Sequence, residues 1–498
     1  MATDHEPGPG PERLDDLLFT SDVAPETPAV FMDDRVVTRA ALERSARALA
    51  AVLAEGAAPR ARVGVMLPNS PEAVAAWFGI FAADSVVVLF NPRITDVELA
   101  RLAADTGVAA LVTAPDHVDR ASSVVPFVVE ARELEWIAHG RGGGFVPEID
   151  DDLAIVQFTS GTTGLPKPVP QTHTRMLDLM GRVVRTVSGS GRARPEAMPN
   201  LIPVSLSLGA GIYNVLFAFR VGAPVVLMRA FDPEAFARLV ARFEIRSVVL
   251  PPPAMAMLCD AMAIETLDPL RYVRSITAPL PAALARRFHE RFGVAVLNGY
   301  GQTEIGGEII GWSAADWREH RDKLGAVGRP HDGVEARVVP AGDGGESDIG
   351  ELLVRTPQTT RVPEAVADRV DADGWFRTGD LARIDADGFV WIEGRVSDMI
   401  NRGGLKVVPE EVEDALREAP GVRDVGVVGV ADDRLGEVPW AFVVLERGAA
   451  LEPRVLEEWC RSRVVAYKVP TGFTAVAELP RNEIGKLRRR DLAQTPRD

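Results

Sequence analysis

The chain has 498 residues, 47% hydrophobic and 25% charged, an ordinary globular balance with room for more than one core. Its net charge of −16 excludes a general nucleic-acid or anionic-membrane surface, so any bound anion needs a local site. Two distant cysteines, Cys259 and Cys460, make neither a disulfide framework nor a CxxC metal site; they predict buried thiols in a reducing cytoplasm.

The opening MATDHEPGPGPERLDD is acidic and lacks an apolar signal core, so a flexible tail is expected over residues 1–24. ALERSARALAAVLAEG (41–56) predicts an amphipathic helix ending at Gly56. RVGVML (62–67) and SVVVLF (85–90) predict strands, separated by a turn and helix over 68–83. Such alternation implies parallel sheets covered by helices. LAIVQF (153–158) is another apolar strand, followed by TSGTTGLPKP (159–168) and then by THTRMLDLMGRVVRTV (172–187). In that last segment Met176, Met180, Val183, Val184 and Val187 recur at helical spacing, with Thr172 or Thr174 as N-cap.

The segment 159–168 is therefore expected to be an irregular loop joining strand to helix. Its glycines let the backbone approach an anion, and its hydroxyls and N–H groups are donors. It is not a Walker A loop, because Leu165 and Pro166 separate Gly164 from Lys167, and prolines 166, 168 and 170 oppose a helix opening at the lysine. A polar surface turn and a phosphate cradle both fit the loop taken alone.

The same rhythm continues from about 200 to 300, with APVVLM and IRSVVL as buried strands. After about residue 325, GVEARVV, GELLVRT and GFVWIEG predict short strands between Gly and Asp turns, a small antiparallel sheet or barrel. After 396 the texture changes again. PEEVEDALREA and LEEWCRSRV read as helices, and GVRDVGVVGV, VPWAFVVL and FTAVAEL as strands. No apolar run is long enough to span a bilayer. The fold expected is α/β: stacked αβ layers with a small barrel-like subdomain over 25–396, then a small mobile α+β domain over 397–498.

Three further stretches carry chemistry. NGYGQTE (298–304) sets Tyr300 between glycines, where a ring stacks on a flat base, and Glu304 is a carboxylate suited to a hard ion such as Mg2+. In GWFRTGDLARIDADGFVWIEGR (374–395), Asp380 is expected in a tight turn, its carboxylate able to accept from both hydroxyls of a ribose, with Arg395 closing the next strand. In PRNEIGKLRRRDL (480–492), Lys486 is expected on an exposed turn before a basic helix. Each stretch alone also fits a plain surface turn.

Together and in this order, TSGTTGLPK, GYGQTE, WFRTGDL, GRVSDMINRGG and PRNEIGK resemble the adenylate-forming superfamily of acyl-CoA synthetases, nonribosomal adenylation domains and beetle luciferases. The resemblance runs from about residue 25 to 492. It implies two steps: a carboxylate attacks the α-phosphate of Mg-ATP, giving acyl-AMP and pyrophosphate, and a thiol, commonly of CoA, then displaces AMP. It also implies that Thr159, Ser160, Gly161, Thr162, Thr163 and Gly164 with Lys167 hold the β- and γ-phosphates. Tyr300 would stack on adenine, with Asn298 and Gly299 at its edge. Thr303 would donate to the α-phosphate and Glu304 bind Mg2+. Asp380 would hold the ribose with Arg395, and Lys486 would bridge carboxylate and α-phosphate. Ser207, Gly209, Tyr213, Gly301 and Ile305 would line the acid pocket, Gly403 and Gly404 the thiol channel, and Ser397 would be the pivot of the small domain.

Departures from the family narrow the substrate. The segment IPVSLSLGAGIYN (202–214) lacks the acid with which amino-acid adenylation domains hold an ammonium, and a buried unpaired ammonium is costly. PPPAMAMLCDAMA (251–263) is Met-rich and adaptable. A hydrophobic acyl or aryl acid is therefore expected. Leu206 stands near the place of a histidine common in acyl-CoA ligases, Ser397 replaces the usual Asp or Lys, and Pro168 replaces a small residue. A carrier-protein thiol in place of CoA, and an enzyme of one half-reaction only, are the alternatives. Intact Thr303, Glu304 and Lys486 argue against a non-catalytic nucleotide binder.

Overall fold

The computed structural model describes residues 11–141, 150–160, 166–188, 198–276, 278–305, 307–340, 348–357, 359, 362, 364–403, 405–481 and 485–496. The chain divides into two compact units. One comprises 1–161, 165–250 and 260–273; the other comprises 162–164, 251–259 and 274–498.

The first unit is built on a seven-stranded sheet. Its five central strands, Phe127–Arg132, Ala110–Thr113, Arg62–Met66, Val86–Leu89 and Leu153–Ser160, run parallel in that order. Both edge strands, Glu135–Gly140 and Pro166–Thr172, are antiparallel. The helix Pro71–Ala82 shows why the local sequence folds as it does. Pro71 opens it, the Ser70 hydroxyl accepts from the Ala73 N–H at 3.2 Å, and nearly every side chain from Pro71 to Phe81 is buried. Trp77, Phe78 and Phe81 join Leu42, Leu49 and Phe219 in the main core, where each such side chain contributes about 1.5–3 kcal/mol by burial. A four-stranded sheet, in the order Asn200–Ile202, Val225–Leu227, Pro28–Met32, Arg35–Thr38, completes this unit.

Two expectations are corrected here. The tail does not extend to residue 24: Asp16–Phe19 is a helical turn, Leu14, Leu17 and Leu18 are buried, and the Leu14 N–H donates to His173 Nδ1 at 3.0 Å. Nor does the glycine-rich loop lead directly into a helix. Pro166–Thr172 first returns as a strand against Leu153–Ser160, pairing Lys167 with Thr159 and Pro168 with Phe158. The alternation of prolines 166, 168 and 170 explains how. An edge strand turns every second N–H outward, so prolines two apart cost no ladder bond. The helix His173–Ser188 then starts with the Thr172 hydroxyl accepting from the Arg175 N–H at 3.2 Å, as the capping pattern predicts.

The second unit carries three antiparallel sets. Ala295–Gln302 pairs with Gly307–Gly311, which pairs with Arg329–Pro330. Glu335–Pro340, Gly350–Arg355, Phe376–Ile384 and Val390–Arg395 form a meander around Leu352, Val354, Phe376 and Val390. The C-terminal stretch forms a sheet of Leu405–Val407, Ile400–Arg402, Gly436–Leu445 and Val422–Asp432, with Gly472–Ala475 added in parallel and Pro409–Arg417 and Pro453–Arg461 as helices. Among the described residues no helix is long and apolar enough to cross a membrane.

Candidate active site

The meander places Asp380 at the centre of a polar cluster. The sequence predicts a turn there; the structure instead has Asp380 inside the strand Phe376–Ile384, directly across from Arg395. Thr-Gly-Asp forms no chain reversal, because Gly379 takes φ +73° and the pairing slips one residue later, between Leu381 and Ala382. The Thr378 hydroxyl accepts from the Asp380 N–H at 3.1 Å and donates to the Leu352 carbonyl at 2.7 Å, which fixes the kink. Asp380 is 4% exposed. Its Oδ1 lies 3.0 Å from Arg395 Nε, and its Oδ2 accepts from Tyr300 OH at 2.6 Å and from Gln302 Nε2 at 2.7 Å.

Tyr300 lies on the strand Ala295–Gln302, in a different sheet. Burial, and then the charge and hydrogen bond of Asp380, hold its phenol well above the ordinary value of 10, so it remains a donor. Just before it, Asn298 donates to the Ala326 carbonyl at 3.3 Å and accepts from the Gly299 N–H at 3.1 Å. Gly301 has to be glycine, since a Cβ there would stand 1.8 Å from the Gly307 carbonyl oxygen. Glu304 is partly buried on the short turn Thr303–Ile305 that follows, and Ile305 lies in the core at 0% exposure.

Lys486 is not exposed as expected but partly buried. Burial lowers its pKa below the ordinary 10.5. Arg395 adds to the lowering, and Asp380, Asp398 and Glu410 oppose it. The lysine thus stands within electrostatic reach of the Asp380–Arg395 pair. Its loop is fixed at Gly485, which has φ +80° and would carry a Cβ 2.3 Å from Pro253 Cγ, while its carbonyl accepts from Arg481 at 2.8 Å.

The other predicted residues sit on elements of their own. In the first unit, Ser207 shares a 2.8 Å hydroxyl contact with Ser205, Gly209 opens the helix Gly209–Arg220, and Tyr213 stacks on Phe217 at 6.1 Å. Asn69, which sequence reasoning missed, pins this segment. It accepts from the Leu206 N–H at 2.7 Å and donates to the Val204 and Met228 carbonyls. Gly403 donates its N–H to the Leu435 carbonyl at 2.7 Å, and Ser397 sits in the turn Val396–Asp398, its hydroxyl 3.0 Å from Asp398 Oδ1. Gly161, Thr162, Thr163, Gly164 and Gly404 lie outside the described residues, as do the side chains of Thr159, Ser160, Lys167 and Thr303.

The donor set fits a nucleotide: a carboxylate on a kinked strand, an aromatic ring beside it, and two cations near. Among the described residues no group of three or more His, Cys, Asp and Glu side chains is placed to hold a metal. A single carboxylate such as Glu304 is what Mg2+ takes when phosphates and water complete its shell.

Next to the cluster, Glu410 contacts Arg489 but leaves its Oε2 without a partner. Burial raises its pKa from 4.5 to about 7, with Arg489 opposing and Glu413 reinforcing. A carboxyl raised on folding stabilises most below its unfolded value, and that contribution is lost as pH rises through the folded value. Melting temperature is therefore expected to fall between about pH 4.5 and 7. Glu410→Gln should flatten that fall by a few degrees, read by thermal scans across the window; an unchanged profile would refute the assignment.

Comparison with known proteins gives the family. The profile of the AMP-binding enzyme family matches residues 20–362, and that of the AMP-binding enzyme C-terminal domain matches 411–486. A feruloyl-CoA synthase of Amycolatopsis sp is 32% identical over 480 residues, 93% of this chain and 95% of that protein. A long-chain-fatty-acid–CoA ligase of Salmonella typhimurium is 30% identical over 523 residues, 95% and 92% of the two chains. The solved structure of o-succinylbenzoate coenzyme A synthetase from Bacillus subtilis, in complex with ATP and magnesium ion, matches with a TM-score of 0.81 at 27% identity, over 96% of this chain and 99% of that one.

Proposed function

The chain belongs to the AMP-binding enzyme family and is an acid–thiol ligase of the AMP-forming type; on that premise we propose that it joins a carboxylic acid lacking an α-amino group to coenzyme A, using ATP. The observation that carries the reading is the cluster of Tyr300, Asp380 and Arg395 with the partly buried Lys486. In the first step a carboxylate oxygen of the acid attacks the α-phosphorus and pyrophosphate leaves. Negative charge spreads over the phosphoryl oxygens, and the Lys486 ammonium is positioned to offset it. Asp380 accepts from the ribose hydroxyls, Arg395 pairs with it, and Tyr300 offers its ring to the base. Glu304 would hold Mg2+, which would supply positive charge against the phosphates. In the second step the CoA sulfur attacks the acyl carbon and AMP departs. The pivot between the steps is Ser397, the boundary of a small domain over 397–498.

The finer substrate reading is an acyl or aryl acid with an apolar body. The segment 202–214 has no carboxylate, and its Leu206 is buried. Feruloyl and long-chain-fatty-acid ligases among the relatives support it. The Met-rich stretch contributes less than the sequence suggests, since Met255 is core while Met257 and Met262 are exposed. The test is acid-dependent ATP–pyrophosphate exchange across a panel. Acyl and aryl acids should exceed proteinogenic amino acids by about 100-fold or more, the factor for an unpaired buried ammonium costing about 3 kcal/mol. A strong signal from any α-amino acid would overturn the reading. Thioester detection by mass spectrometry, with CoA or a holo-carrier protein supplied, then identifies the acceptor.

A further inference from the structure

Asp380 is oriented by a relay that begins on a different element. Gln302, at the end of the strand Ala295–Gln302, donates through Nε2 to Asp380 Oδ2 at 2.7 Å and to the Thr378 carbonyl at 2.9 Å. Its Oε1 accepts from Arg369 Nη2 at 3.3 Å. Arg369, at the end of the turn Glu364–Arg369, is itself held at several points. Nη2 donates to the Thr378 carbonyl at 2.6 Å, Nε donates to the Arg377 carbonyl at 2.8 Å, and the guanidinium lies 4.3 Å over the Phe376 ring.

The chemistry of these groups permits one arrangement. A guanidinium donates only, so the amide oxygen has to face Arg369; a carboxylate accepts only, so the amide nitrogen has to face Asp380. A flipped amide would set N–H against N–H at one end and oxygen against oxygen at the other. Arg369 therefore fixes the amide, and the amide fixes the carboxylate. The relay also keeps a second cation at one remove. A direct Arg369–Asp380 pair would occupy acceptor positions that two hydroxyls need, whereas a neutral amide orients the carboxylate through one oxygen.

We propose that Gln302 and Arg369 are positioning residues that set the Asp380 carboxylate for the ribose hydroxyls of ATP and so sharpen selection of ribo- over deoxynucleotides. This rests on the reading that Asp380 holds the ribose, and the experiment separates the two. The KM for ATP, 2′-deoxy-ATP and 3′-deoxy-ATP is measured in pyrophosphate exchange for wild type, Asp380→Asn, Gln302→Leu, Gln302→Glu, Arg369→Leu and Arg369→Lys, with thermal scans to establish folding. Gln302→Leu and Arg369→Leu should raise the KM for ATP about ten-fold, the scale of one hydrogen bond to a charged group. They should change kcat less than three-fold, roughly, and leave the deoxy analogues nearly unaffected, so that discrimination collapses. Arg369→Lys, still a donor, should restore part of it. Gln302→Glu, which keeps the Arg369 contact but sets a second carboxylate beside Asp380, should be worse than leucine. If Asp380→Asn retains the preference for ATP, the ribose reading fails and the proposal with it. If Asp380→Asn loses the preference while Gln302→Leu and the Arg369 variants keep it, the ribose reading stands and the relay is overturned.

Discussion

Lys486→Ala should lower acid-dependent pyrophosphate exchange by about 10²–10³-fold, the scale of removing one preorganised charge-stabilising donor from a phosphoryl or acyl transfer site. The same variant should convert supplied acyl-AMP and CoA to thioester at close to the wild-type rate. The physical basis is location. Lys486 is partly buried, and burial lowers its pKa, so its charge is screened less than that of a surface lysine. Its backbone is held by the Gly485–Pro253 contact and the Arg481 hydrogen bond, so alanine removes the amine without releasing the loop. The lowered pKa has a companion consequence. The ammonium is lost at a lower pH than an ordinary lysine, so the alkaline limb of the exchange profile should begin below 10.5 and be absent in the variant. Equal loss of both half-reactions would remove the assignment.

Local signals in the sequence carried much of the architecture and failed where contacts are distant. Ser70 and Pro71 announce a helix start, and Thr172 another, because capping is settled within four residues. Tyr300 between glycines is legible for the same reason. The prolines of 166–170 mislead because proline is disfavoured in strands generally, whereas an edge strand needs only alternate N–H groups. Thr-Gly-Asp misleads because a bulged strand and a turn use the same residues. Gln302 and Arg369 are invisible in the sequence: they stand 67 positions apart, and Arg369 sits in a stretch with no periodicity. The basic run 488–490 reads as a solvated helix, yet Arg489 is partly buried among acids contributed from 76 or more residues away. What decides its burial is which strand packs beneath it, and no local pattern carries that.

That partly buried arginine gives the largest expected effect on stability. Arg489 pairs with Glu413 and Glu410, lies 3.4 Å from Asp398, and donates to the Val427 carbonyl at 2.9 Å. Glu413 is 2% exposed and also accepts from the Val427 N–H at 2.8 Å and from Arg417 at 3.1 Å. Burial alone would push its pKa up, but Arg489 and then Arg417 pull it below the ordinary carboxylate range, so it stays charged. Arg489 is in turn held above its usual value, since the attraction of Glu413 and Glu410 outweighs burial. Arg489→Leu leaves Glu413 buried with half its compensation gone, and it should cost about 3–5 kcal/mol of stability in the C-terminal stretch. Adding Glu413→Leu should return a large part of that loss, because the two residues interact directly and their effects do not add. Denaturant titration followed by the fluorescence of Trp440 and Trp459 measures it, and a loss under about 1 kcal/mol would mean the pair is replaceable by solvent. The catalytic consequence follows from chain position. Arg489 is three residues beyond Lys486 and ties its loop to Asp398, beside the proposed pivot. Loosening it should lower adenylation, which needs Lys486 in place, more than thioester formation, which does not. Arg489→Lys keeps the charge but loses the fork that reaches Glu413, Glu410 and the Val427 carbonyl together, so its loss should fall between wild type and leucine.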